Sequence, residues 1–266
     1  MIDTLKRLPT TKCELVHNPE DKHNYFVYNV SKGFDNWSQR RSPYTYQNKD
    51  LVVNAHTLCN VHMMAMGLIY SGIYDRYKKE IDKKYPEYQR LPDKLAKFII
   101  ESKEMQEYYK ERFPTYYEGF DKGEKNAYTL NELHAGLSFG TNKFLNIGTV
   151  TYFSTNVHWK DIIDDLVYNR LPVGISGRFN NYDHIVLAVG VAYRTLEAQY
   201  SPGENQIPDY IIVDDPYGKT YEYDKGLSGN DIWIPFSKCI HDFKAIENQN
   251  FKMAHRFIRV EHLGLE

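Results

Sequence analysis

The sequence predicts an α+β fold, with N-terminal helices packed on a mainly antiparallel sheet. Three observations predict it. Helical signals crowd the chain up to about residue 170. After that the apolar pattern shifts to short period-two runs rich in Val and Ile, separated by turn residues. The helices come first and the strands follow, which is not the alternation of βαβ units.

Residues 1–50 are polar and aromatic with few periodic signals, so they read as loops and short strands. Residues 59–72, within "NAHTLCNVHMMAMGLIYSG", read as a buried helix, apolar on most faces and stopped at Gly72. Residues 73–113 are dense in charge. Within them Leu95, Phe98, Ile99, Met105, Tyr109 and Phe113 recur at the spacing of an amphipathic stripe. Pro86 and Pro92 divide this stretch into two helical pieces. The charge run reads as a solvated helix face, and residues 73–135 as a helical insertion within a single 1–266 domain.

"TLNELHAGLSF" (129–139) and "WKDIIDDLVYNR" (159–170) are two further helices, the second with Trp159, Ile162, Ile163 and Leu166 on one face. "LPVGISG", "HIVLAVGVAY", "DYIIVDDP", "DIWIPF" and "HRFIRVEH" are five strand candidates.

Composition narrows the function. The 266 residues are 42% hydrophobic and 26% charged, a globular balance with room for a sizeable core. A net charge of −2 gives no general attraction to nucleic acid or to an anionic membrane. The chain carries 23 Tyr, whose amphipathic rings suit grooves for polar polymers, although a Tyr-rich habit alone explains the count. Three cysteines do not make a disulfide framework. No apolar run is long enough to span a membrane, and "MIDTLKRLPTTK" lacks the apolar core of a secretory signal. A cytoplasmic protein, or one released without a standard signal peptide, is expected.

Cys59 stands where a helix begins. The first-turn N–H groups are unpaired there and the helix dipole is positive, so a thiolate is stabilised and nucleophilic. Such a nucleophile needs a base and a group to orient that base, both elsewhere in sequence. His184 leads an apolar strand after the turn-like "GRFNNYD", at a sheet rim where a cleft belongs. "YIIVDDPYG" ends a strand in Asp214-Asp215-Pro216, so an adjacent strand can set Asp215 beside His184. Taken singly, each has a plain reading: a strand-leading His is usually structural, and Asp-Pro usually starts a turn.

Taken together and in order, the parts resemble the papain-like cysteine peptidases, in the branch related to the bacteriocin-processing, double-glycine peptidases. The matching residues are Cys59-Asn60 with Ala65-Met66, "NRLPVGIS", "HIVLAVG", and Asp215-Pro216-Tyr217-Gly218. They cover roughly residues 36–72 and 155–220. The resemblance implies a papain-like fold and a Cys59–His184–Asp215 triad, with Asp214 as the alternative orienter. It also implies a Gln before the cysteine that helps bind the oxyanion. Gln39, in "Ser-Gln-Arg", fits that segment, but it lies 20 residues before Cys59, so "NKDLVVNAH" must be an inserted loop. Asn54 is the alternative.

The implied activity is hydrolysis of a peptide or amide bond through an acyl-enzyme. The substrate is a peptide, a peptidoglycan-like cross-link or a small amide, and no metal or organic cofactor is implied. Acyl transfer uses the same constellation. A catalytically inactive papain-like binding or inhibitory module is a further alternative, with the helical insertion as a surface for a protein partner. A metal site built on His56, Cys59 and His62, with His241 and Cys239, is disfavoured. Members three apart on a helix drift around its axis and do not converge on one ion. A Met-rich core helix with an incidental cysteine explains the stretch alone, but not the His and Asp segments downstream.

Overall fold

The structure is a computed structural model and describes residues 11–31, 39–125, 127–129, 131–179, 182–195, 206–218, 229–239 and 250–258. Within them lie seven α-helices: α1 (Cys59–Tyr70), α2 (Ile73–Lys83), α3 (Leu91–Glu101), α4 (Lys103–Arg112), α5 (Pro114–Lys122), α6 (Asn131–Leu145) and α7 (Trp159–Ile163). An eight-stranded sheet holds β1 (Cys13–Asn18), β2 (His23–Asn29), β5 (Thr151–His158), β6 (Val173–Phe179), β7 (Tyr182–Tyr193), β8 (Tyr210–Asp214), β9 (Ile232–Pro235) and β10 (Asn250–Phe257). A separate hairpin joins β3 (Tyr46–Asn48) to β4 (Leu51–Val53). The fold is α+β, and every strand pairing among the described residues is antiparallel.

The main sheet runs β1-β2-β7-β6-β10-β5, with β8 on the far edge of β7 and β9 beyond it. β7 is the spine. Its first part pairs with β6 and its end with β2, while β8 lies along the opposite side. Ile185, Leu187 and Val189 face the helical layer, and Val186 and Ala188 face the other way. A bulge between Ala188 and Gly190 then reverses the parity, so Val191 and Tyr193 join the second face and Ala192 the first. Both faces are covered, which explains why the strands read as continuous apolar runs.

α1 lies against β6, β7 and β10, and is buried along nearly its whole length. Two glycines permit the close approach. A Cβ on Gly67 would sit 2.0 Å from the Phe257 ring, and one on Gly174 would sit 2.1 Å from the Met63 sulfur. The charged segment after α1 joins the same core. Leu95, Ile99, Met105 and Tyr109 are buried in it, and α3 packs on α1 and α6. The segment 73–113 holds three helices rather than two pieces. Pro92 opens α3 instead of breaking it, and Ser102 starts α4 by accepting a hydrogen bond from the Met105 N–H.

The helix expected over 159–170 also differs. After α7 the chain widens into a π-helical turn, Asp164–Asn169, ended by Arg170 at φ 53°. The wider turn buries Leu166, Val167 and Tyr168 in succession. Asp165 also reaches Arg256 of β10, whose guanidinium donates to both carboxylate oxygens. "HRFIRVEH" enters the sheet as part of β10, and its last residues lie outside the described ones. β5 was not expected at all. No described helix is long and apolar enough to cross a membrane.

Candidate active site

The β7–β8 register builds the centre of the site. Its last pair is Leu187 with Asp214. One further step sets Asp215 level with Val186, and His184 shares the face of Val186. His184 and Asp215 meet there, Nε2 to Oδ1, at 2.8 Å. The Asp215 side chain is fully buried and His184 is 14% exposed. A carboxylate only accepts, so Nε2 carries the proton and Nδ1 is left for another partner.

Asp215 is held on every side. Its N–H donates to Gly229 O at 2.7 Å, its carbonyl accepts from Gly218, and Oδ1 also accepts from the Tyr217 N–H at 2.8 Å. The Asp-Pro-Tyr-Gly segment is thus both a turn and the clamp on the carboxylate. Gly218 closes it at φ 63°, a backbone region that favours glycine.

Cys59 is the first residue of α1 and is partly exposed. Its thiol is close enough to the His184 ring to raise it. Burial alone lowers His184, but the hydrogen bonds with Asp215 and Cys59, and the charges of both, hold it at about 10. Burial pushes up both Cys13 and the fully buried Cys239.

The remaining candidates separate clearly. Asp214 points to the helical face, where it accepts from Tyr70 Oη at 2.5 Å and from the Asp231 N–H at 2.8 Å. Gln39 opens a short 3-10 turn, Gln39–Arg41, and its N–H donates to Pro216 O at 2.8 Å, beside Asp215. Its side chain is 1% exposed, and neither end of its amide has a hydrogen-bond partner among the described residues. Asn54 instead uses its carboxamide oxygen within the turn before α1, accepting from the His56 N–H at 2.9 Å. The expected inserted loop "NKDLVVNAH" holds the turn and second strand of the β3–β4 hairpin, whose first strand begins before it, at Tyr46.

The neighbouring histidines have other surroundings. His56 lies against Tyr217, with ring centroids 6.4 Å apart, and Arg40 stacks on the same Tyr217 ring at 4.3 Å. His62 is fully buried, and burial lowers it to about 3, so its neutral ring donates through Nδ1 to Leu58 O. Among the described residues no three His, Cys, Asp or Glu side chains are grouped to hold a metal ion. His241 lies outside the described residues.

Ser42 and Tyr128 are site neighbours that sequence patterning does not single out. Tyr128 Oη donates to Asn60 Oδ1 at 3.0 Å, bracing the residue after the cysteine. Neither known family models nor the sequences of curated proteins match the chain.

Proposed function

We propose that the protein is a papain-like cysteine hydrolase that cleaves a peptide or amide bond through Cys59, His184 and Asp215. The observation that carries the reading is the His184 ring, bonded on Nε2 by a buried carboxylate and raised by the Cys59 thiol at a helix N-terminus. That is the order nucleophile, base, orienting acid.

The chemistry follows from these positions. With Nε2 held by Asp215, Nδ1 takes the Cys59 proton and a thiolate–imidazolium pair results. The thiolate attacks the carbonyl carbon. The oxygen takes up the negative charge and accepts from the Cys59 N–H and from the Gln39 amide, each donor worth about 3 kcal/mol. Gln39 is preferred to Asn54 because its buried amide has no other described partner, and such a group is costly unless something completes it. The intermediate collapses, His184 gives its proton to the departing amine, and an acyl-thioester remains. Water, deprotonated by His184, releases the acid and restores the thiol.

Asp214 has no part in these steps. Substrates to screen are peptides, peptidoglycan-like cross-links and small amides.

The deciding experiment is site-resolved alkylation with iodoacetamide at neutral pH. Cys59 is expected to react far faster than Cys13 and Cys239. Equal reactivity of the three thiols rejects the reading. Cys59→Ala is expected to abolish hydrolysis with the fold intact, and hydrolysis retained by that variant also rejects it.

A further inference from the structure

The Gln39 side chain makes no described hydrogen bond of its own, so the placement of its amide depends on its backbone. That backbone is tied at two points. The Gln39 N–H donates to Pro216 O, and the Gln39 carbonyl accepts from the Ser42 N–H at 2.9 Å. The Ser42 hydroxyl then donates to Asp93 Oδ1 at 2.5 Å and accepts from the Tyr44 N–H at 3.3 Å. Asp93 is fully buried in the first turn of α3, with Arg90 Nε 3.9 Å from its second oxygen. Further along, the buried Tyr44 donates its hydroxyl to Glu101 Oε1 at 2.8 Å, at the end of the same helix. The chain from Gln39 to Tyr44 is therefore strapped along α3.

We infer that Ser42, anchored by Asp93, is the positioning residue that holds Gln39 for the oxyanion, and that the helical segment supplies this hold. The inference rests on the proposed role of Gln39. An oxyanion donor contributes fully only when it is fixed before the reaction begins. A hydroxyl bonded to a buried carboxylate on a packed helix is such a fixture. The segment that reads in sequence as a charged, solvated insertion thereby becomes a scaffold for the site.

Two reagents separate this role from a merely structural one. p-Nitrophenyl acetate acylates Cys59 through a tetrahedral oxyanion and expels p-nitrophenolate. Iodoacetamide alkylates Cys59 directly, forming the C–S bond as iodide leaves, with no oxyanion. Gln39→Ala is expected to slow acylation by about a hundredfold. Ser42→Ala is expected to slow it by about tenfold, with alkylation within about twofold of wild type, and Ser42→Thr, which keeps the hydroxyl, to restore it.

In the Gln39→Ala background, Ser42→Ala is expected to cost nothing more. Additive losses, or an equal fall in both reactions, overturn the inference. Normal acylation by Gln39→Ala, with Cys59 still readily alkylated, overturns it and leaves the thiol–imidazole reading standing. A Cys59 no more reactive than Cys13 towards either reagent overturns both.

Discussion

Tyr70 on α1 donates its phenol hydrogen to Asp214, 144 residues away, while the next residue, Asp215, turns to His184. Two adjacent acids at one strand end are divided between two faces of a sheet. The alternation of side chains does this without further instruction. One carboxyl is enclosed in the core and the other is delivered to the thiol–imidazole pair.

The enclosed acid gives the protein a pH-dependent stability. Burial raises Asp214, against the hydrogen bonds from Tyr70 and the Asp231 N–H, and the Asp231 charge adds to the rise, to about 7. In the unfolded chain an Asp titrates near 3.9. A raised folded value means stability that is complete at acid pH and is lost as pH climbs through about 7. Asp214→Asn cannot ionise. Urea unfolding is expected to show wild type losing on the order of 2–4 kcal/mol more than Asp214→Asn between pH 5 and pH 8. His184 contributes to both proteins, so their difference isolates Asp214. Parallel profiles would show that this carboxyl does not ionise within that range.

Asp215 is expected to act through charge as well as geometry. Asp215→Asn keeps an oxygen for Nε2–H and for the Tyr217 N–H but removes the negative charge. Acylation of Cys59 by p-nitrophenyl acetate is expected to fall about tenfold in that variant, and about a hundredfold or more in Asp215→Ala. Wild-type rates in both would remove Asp215 from the triad.

His184, held at about 10, is protonated across the neutral range, so its contribution to stability is complete below about 6.5 and lost as pH rises through about 10. The same proton serves the leaving amine. Amide hydrolysis is therefore expected to decline on the alkaline side near pH 10. Cys59→Ala removes one hydrogen bond and one charge that raise the imidazole. Titration of the His184 ring by NMR is expected to show it moving down in that variant. An unchanged His184 titration would show that the thiol and the imidazole are not coupled.

How much of this was legible in the sequence depended on how local each signal is. The strands β6, β7 and β8 announce themselves through Val and Ile runs, and His184 and Asp215 stand out as polar residues at the ends of such runs. β5, "TYFSTNVH", is half exposed and mostly polar, so its only definition is its pairing with β10. The β3–β4 hairpin has three-residue strands, too short for any period, and it widens the gap that makes Gln39 hard to assign. The break at Ser102 is marked by a single side-chain cap, and the π-helical turn carries an ion pair with Arg256 across 91 residues. The Ser42–Asp93 contact spans 51 residues and leaves no local pattern.

Lys94 is the other polar residue that only the folded chain explains. It is 2% exposed, and its ammonium donates to the carbonyls of Asp82, Lys84 and Tyr85 at 3.0, 2.6 and 3.1 Å. These carbonyls lie at and just beyond the end of α2, where the last turn of a helix leaves C=O groups without intrahelical partners. A cation is favoured there by the helix dipole as well. Lys94→Met keeps the apolar stem and deletes all three bonds, leaving the carbonyls to find water or remain unpaired. The variant is expected to lose about 2–4 kcal/mol in urea unfolding. Because Lys94 bonds only to the α2 end, the alkylation rate of Cys59 in the folded variant is expected to stay at the wild-type value. An unchanged urea midpoint would show that the cap contributes nothing. A slowed Cys59 would show that the α2–α3 connection reaches the site by a route other than Ser42.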